Sequence, residues 1–256
     1  MLNHRTSSNL GSHIYGFAAI ALGLIGLVWR DFASVWQPVP ATVPHRIALA
    51  CIVAVCFLLA GAAVQWQRTA RIGFPVLAIL YFMAALLWLP RVIGFPRMIG
   101  TWLGFAEELT LVLAAIIGYA SLASRNSVWS FRTIQIARLV FGLCLITFGL
   151  AHLLAIPDTA AFVPKWIPPG QRFWAIATGV AHLLAGLAIL SNIQALLAAR
   201  LFTTMLLGFG ILIWLPAVYG HPEIHLNWAA NAINLAIAAA AWIVADSLNP
   251  ATPRNP

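Results

Sequence analysis

The chain has 256 residues, of which 62% are hydrophobic and only 8% charged. Soluble domains carry about 25% charged residues, so this chain cannot clothe a water-facing surface, and its scattered Gly and Pro exclude a collagen-like or disordered chain. The net charge of +8 would suit nucleic acid only if Lys and Arg shared one face; here they punctuate apolar runs, which argues against nucleic acid and for the lipid bilayer as partner.

About 20 apolar residues cross a bilayer core, and only helices satisfy their backbone there without water. The first span is predicted at 13–29. It ends at Trp29-Arg30-Asp31 without a small-x-small cleavage site, so it reads as a span and not as a leader. The second, 47–66, holds Cys51 and Cys56 on different faces; these and Cys144 read as small hydrophobes rather than a redox pair. The third, 73–90, closes on Leu87-Trp88-Leu89-Pro90, and the fourth, 102–123, carries Glu107 and Glu108. The connection 124–134, with Arg125, Ser127, Ser130 and Arg132, divides the chain.

The fifth span, 135–156, carries His152 near its end. Pro164-Lys165-Trp166-Ile167-Pro168-Pro169 follows as an interfacial segment or, secondarily, a lid. The sixth, 172–191, carries His182; the seventh is 196–216; the eighth, 227–247, carries Asn231 and Asn234. The predicted fold class is therefore an all-α membrane protein of eight transmembrane helices, in two four-helix halves at 1–125 and 134–248 with a cytoplasmic tail at 249–256. Tyr15 and most Trp residues fall near span ends, where amphipathic rings favour the interface.

Basic residues set the expected orientation. With the N-terminus inside, Arg5, Arg68, Arg71, Arg125, Arg132, Arg138, Arg200 and Arg254 lie on the inner side, and Arg30, Arg46, Arg91, Arg97, Lys165 and Arg172 on the outer. That excess predicts a multi-pass protein of the cell membrane with both termini cytoplasmic.

The halves also resemble each other. Leu87-Trp88-Leu89-Pro90, Gly94, Pro96, Trp102 and Leu109 match Ile213-Trp214-Leu215-Pro216, Gly220, Pro222, Trp228 and Leu235 in one register. Leu58-Leu59-Ala60-Gly61 matches Leu183-Leu184-Ala185-Gly186, and Gly26-Leu27 matches Gly149-Leu150. With an even number of spans each, duplicated halves would be parallel repeats about an axis along the membrane normal.

The second half, from Arg138 to Asp246, resembles the DoxX family of small four-helix membrane proteins. The resemblance rests on Phe148-Gly149-Leu150-Ala151-His152, on Phe162-Val163-Pro164-Lys165-Trp166-Ile167-Pro168-Pro169, and on Thr178-Gly179-Val180-Ala181-His182-Leu183-Leu184-Ala185-Gly186-Leu187. It implies a link to membrane subunits of thiosulfate:quinone oxidoreductase-like or other redox partnerships, with the specific activity and cofactor left unknown, quinone being the cofactor and a redox protein the partner it suggests. Where the family often has Glu, this chain has His182. The first half, with Cys56 or Phe57 near that position and Trp29 opposite His152, reads as a degenerate copy.

Ionisable groups inside spans mark sites. The candidate intramembrane polar site comprises His152, His182, Asn231, Asn234, Glu107 and Glu108, with Glu108 aligned on Asn234. Counted from the helix ends, His152 and His182 differ in depth by about 9 Å, which disfavours a haem held between them. Gly179 and Gly186 place His182 on a small-residue stripe that another helix can approach. Glu107 and Glu108 are expected to pair with Arg30, Arg91 or Arg97. The loop His221-Pro222-Glu223-Ile224-His225 has three potential ligands, but Pro222 breaks its regularity and no fourth is evident, so no metal site is expected. No nucleotide loop or Ser-His-Asp arrangement is present.

These features predict a DoxX-like membrane protein, redox- or quinone-linked, with its site around His152, His182, Asn231 and Asn234. The rivals are a small-molecule or ion transporter or permease lined by Glu107, Glu108 and Asn234, and a non-catalytic membrane anchor for an extracytoplasmic partner.

Overall fold

In a computed structural model, described over residues 10–123 and 127–248, all regular structure is helical. The helices are α1 (Leu10–Trp29), α2 (Arg46–Val64), α3 (Gln67–Gly94), α4 (Ile99–Ser121), α5 (Val128–Leu154), a short α6 (Ile156–Phe162), α7 (Gln171–Ser191), α8 (Ala195–Phe209), a π-helical turn (Gly210–Trp214), α9 (Leu215–Gly220) and α10 (His225–Leu248). Eight stretches are long and apolar enough to cross a membrane, with Ala195–Gly220 counted as one. Arg5, Arg125, Arg254 and the expected tail at 249–256 lie outside the described residues.

Several predicted spans change length, the third most of all, at Gln67–Gly94 against 73–90. α5 starts at Val128 instead of 135, because Ser127 accepts from the Ser130 backbone N–H at 3.2 Å and so caps the helix. The Ser130 hydroxyl donates to the Ala120 carbonyl at 2.6 Å, tying the start of α5 to the end of α4. In the seventh span, Pro216 has no N–H to continue the ladder. The helix widens just before it, and the Leu215 N–H reaches back to the Gly210 carbonyl.

The packing order interlocks the halves. α1 packs on α2 and α10, α2 on α3, α3 on α4, α4 on α5 and α10, α5 on α7, α7 on α8, and α8 on α10. α4 and α10 therefore form the centre. Their apolar windows are 67% and 78% buried, against 17% for Ala195–Gly220. Small residues allow that approach: Ala114 and Ala115 of α4 and Ala236 and Ala238–Ala241 of α10 are all buried. Val28, Ile79, Leu184 and Leu201 stand outward and exposed, an apolar rim that suits lipid.

Glycine sets the close helix pairs in both halves. A Cβ on Gly61 of α2 would lie 2.5 Å from the Gly16 carbonyl oxygen of α1, and one on Gly186 of α7 would lie 2.8 Å from the Gly142 oxygen of α5. The matched Trp-Pro pattern has a job in each half as well. Trp102 Nε1–H donates to the Pro96 carbonyl and Trp228 Nε1–H to the Pro222 carbonyl, both at 2.9 Å, fastening the loop to the helix that follows. Trp174 makes the same bond to Pro168 at 3.0 Å.

Candidate functional site

α5 ends at Leu154, and Ala155 turns the chain out of the helix. α6 then packs against α7, and the segment up to Gly170 brings the chain to the start of α7. At this end of the bundle α5 is thus the shorter helix. His152 lies within a turn of its end, whereas His182 is about 16 Å along α7 from Gln171. The two nevertheless meet: their ring centroids are 4.5 Å apart, with planes at 46°. This corrects the expected difference in depth, which assumed that both helices reach one membrane plane. The imidazoles touch, so no slot for a porphyrin lies between them.

Thr178, one turn before His182, sets the protonation of both rings. Its carbonyl lies 2.6 Å from His182 Nδ1 and can only accept, so Nδ1 carries the hydrogen. Its hydroxyl donates to the Trp174 carbonyl at 2.7 Å. With that proton used, the hydroxyl accepts from His152 Nδ1 at 3.1 Å. Each ring therefore keeps a bare Nε2 lone pair. Gly179 makes the meeting possible, because a Cβ there would stand 2.9 Å from the Cβ of His152.

Aromatic rings wall His182. Phe148, Phe202 and Phe209 lie 5.8, 5.2 and 6.4 Å from the His182 ring. His182 is 2% exposed and His152 half-buried. Beside His152, a cleft of about 400 Å³ is lined by Leu153, Leu154, Ile156, Pro157, Ala160 and Arg172. Arg172 is its one charge.

Asn231 and Asn234 belong to α10, which packs against α8. Asn234 Nδ2 donates to the Leu206 carbonyl at 2.8 Å. A Cβ on Gly210, where the π turn begins, would meet Asn234 Nδ2 at 3.2 Å and Asn231 Oδ1 at 3.7 Å. On α8, Phe202, Leu206 and Phe209 fall at i, i+4 and i+7, so the face whose rings meet His182 also carries the carbonyl that Asn234 donates to.

Glu107 and Glu108 belong to the other half, and the expected ion pairs are not formed. Glu107 accepts from Trp36 Nε1 at 3.0 Å. Glu108 is 1% exposed, and neither carboxyl oxygen has a hydrogen-bond partner among the described residues. Arg91 instead lies over the Trp88 ring at 4.9 Å, and Arg46 pairs with Asp31 and covers Phe32. Both glutamates sit roughly 12–14 Å along α4 from Ile99, deeper than these arginines reach.

Sequence reasoning passed over three residues here. Tyr15, taken as an interfacial ring, is fully buried, and its hydroxyl donates to the Leu111 carbonyl at 2.7 Å. Tyr81 is 1% exposed with its hydroxyl unpartnered among the described residues. A tyrosine in mid-span was the available signal. Thr178 gave none beyond its place in the Thr-Gly-Val-Ala-His run. In the loop, His221 Nδ1 lies 3.4 Å from a Glu223 oxygen, while His225 stacks on Trp29 at 5.1 Å. No group of three metal-binding side chains occurs among the described residues.

Residues 133–215 match the DoxX family model. The match spans α5 to α8 and the π turn, and it holds His152, Thr178 and His182 but not Asn231, Asn234, Glu107 or Glu108. No curated protein matches the chain, nor does any solved structure.

Proposed function

From a multi-pass membrane protein with a DoxX segment at 133–215, we propose that the His152–His182 pair binds the head group of a lipid-soluble quinone, within the membrane subunit of a redox system. The observation that carries this is the pair of hydrogen bonds to Thr178, which leaves a free Nε2 acceptor on each of two rings whose centroids are 4.5 Å apart, beside the phenylalanines around His182. A quinol offers hydroxyl donors to two acceptors and a flat ring to the phenylalanines. The apolar cleft beside His152 suits an isoprenoid tail, with Arg172 at its margin. Two neutral acceptors favour the reduced, donating form over the oxidised one.

We read the two halves as one duplicated unit in parallel orientation, with both termini cytoplasmic. In support, the matched Trp residues make the same bond to the matched Pro residues, and the inner-side arginines outnumber the outer basic residues. Mass spectrometry of the gently purified protein should recover quinone, and His182→Ala should empty the site. A preparation without quinone, whose fluorescence does not respond to added quinol, would defeat this reading.

A further inference from the structure

The first half holds a polar cluster that plays no part in the histidine site. Glu108 lies about 14 Å from the start of α4 and about 20 Å from its end, near mid-membrane. It is sealed among α1, α3 and α4, and both oxygens lack a partner among the described residues. The titratable groups in electrostatic reach are Tyr15 of α1, Tyr81 of α3 and Glu107 of its own helix. α5 and α10, also packed on α4, bring no cation into contact with it among the described residues.

A bare carboxylate in such a place is costly, and an apolar side chain would fill the same volume without that cost. Water does not reach either oxygen, so a hydrated cation has no berth beside them. A proton needs none. Polar groups also continue toward both ends of the half. Toward one end, Tyr15 lies on α1 shortly after His13, whose Nδ1 is 3.0 Å from Gln65 Oε1. Toward the other, Glu107 is joined to Trp36 of the connecting loop.

We propose that Glu108 is an exchangeable proton-binding site at the middle of the membrane, with Tyr15 and Tyr81 as its neighbouring phenols and with routes toward His13 on one side and Glu107 on the other. This stands independently of quinone binding, since it uses no residue of the DoxX segment.

Infrared spectroscopy of the full chain in lipid nanodiscs tests it. The protein should show the carbonyl stretch of a protonated carboxylic acid that shifts in D2O. That band should vanish in Glu108→Gln, persist in Glu107→Gln and move in frequency in Tyr81→Phe. Absence of the band, its survival in Glu108→Gln or its indifference to D2O would each overturn the proposal. Should Glu108→Gln fail to fold, Tyr81→Phe carries the test, and an unmoved band there counts against the site.

Discussion

A Cβ added to Gly149 would stand 2.8 Å from the carbonyl oxygen of Gly179, so α5 and α7 meet backbone to backbone beside the histidine pair. Any side chain there forces the helices apart. Gly149→Val should destabilise the protein by about 1–3 kcal/mol, read as a lower Tm in detergent. Quinol titration should weaken in parallel, because the imidazoles separate with their helices. An unchanged Tm would mean that the interface is looser than described.

Thr178 holds two rings with one side chain and its own carbonyl. Thr178→Val removes the hydroxyl that His152 Nδ1 donates to, which releases that ring to turn. One hydrogen bond is worth about 1 kcal/mol, so quinol affinity should fall about fivefold, while Thr178→Ser should hold near the native value. Equal affinity in Thr178→Val and the native protein would remove Thr178 from the site.

The Glu107 carboxylate and the Trp36 indole test each other. Trp36→Phe should cost about 1.5–3 kcal/mol, since it leaves the acid without its donor. Adding Glu107→Leu to that variant should recover part of the loss, so the two changes together cost less than their sum. Strict additivity in thermal unfolding would show that the bond contributes nothing.

Asn234 ties α10 to the stretch of α8 that precedes the π turn. Asn234→Leu should cost about 0.6 kcal/mol, the usual worth of a hydrogen bond between membrane helices. Quinol affinity should fall less than in Thr178→Val, because the hydrogen bond of Asn234 goes to the α8 backbone and not to either histidine. A large affinity loss would place Asn234 in the histidine site after all.

The spans were legible because lipid demands long apolar runs, and a close helix approach on α7, though not its partner α5, was legible in the Gly179 and Gly186 stripe. Depth was not. His152 and His182 looked far apart because the count assumed that α5 and α7 end at one level, and only tertiary structure reveals that α5 is cut short beside α6. The partners of Glu107 and Glu108 were misjudged for a related reason. Arg91 is near in sequence, yet its guanidinium finds the Trp88 ring, while Trp36 reaches Glu107 from a loop whose path no periodicity records. The tautomer of His182 depends on the Thr178 carbonyl and that of His152 on where the Thr178 hydroxyl spends its proton, properties of the bonded network and not of the residue string.

α1 rests against α10, although the ribosome makes the two nearly the full chain apart. During synthesis α1 must therefore wait in the bilayer with its Gly11 flank uncovered, since the backbone that Gly11 meets belongs to Trp242 and Ile243. Assembly closes only when α10 slides between α1 and α4.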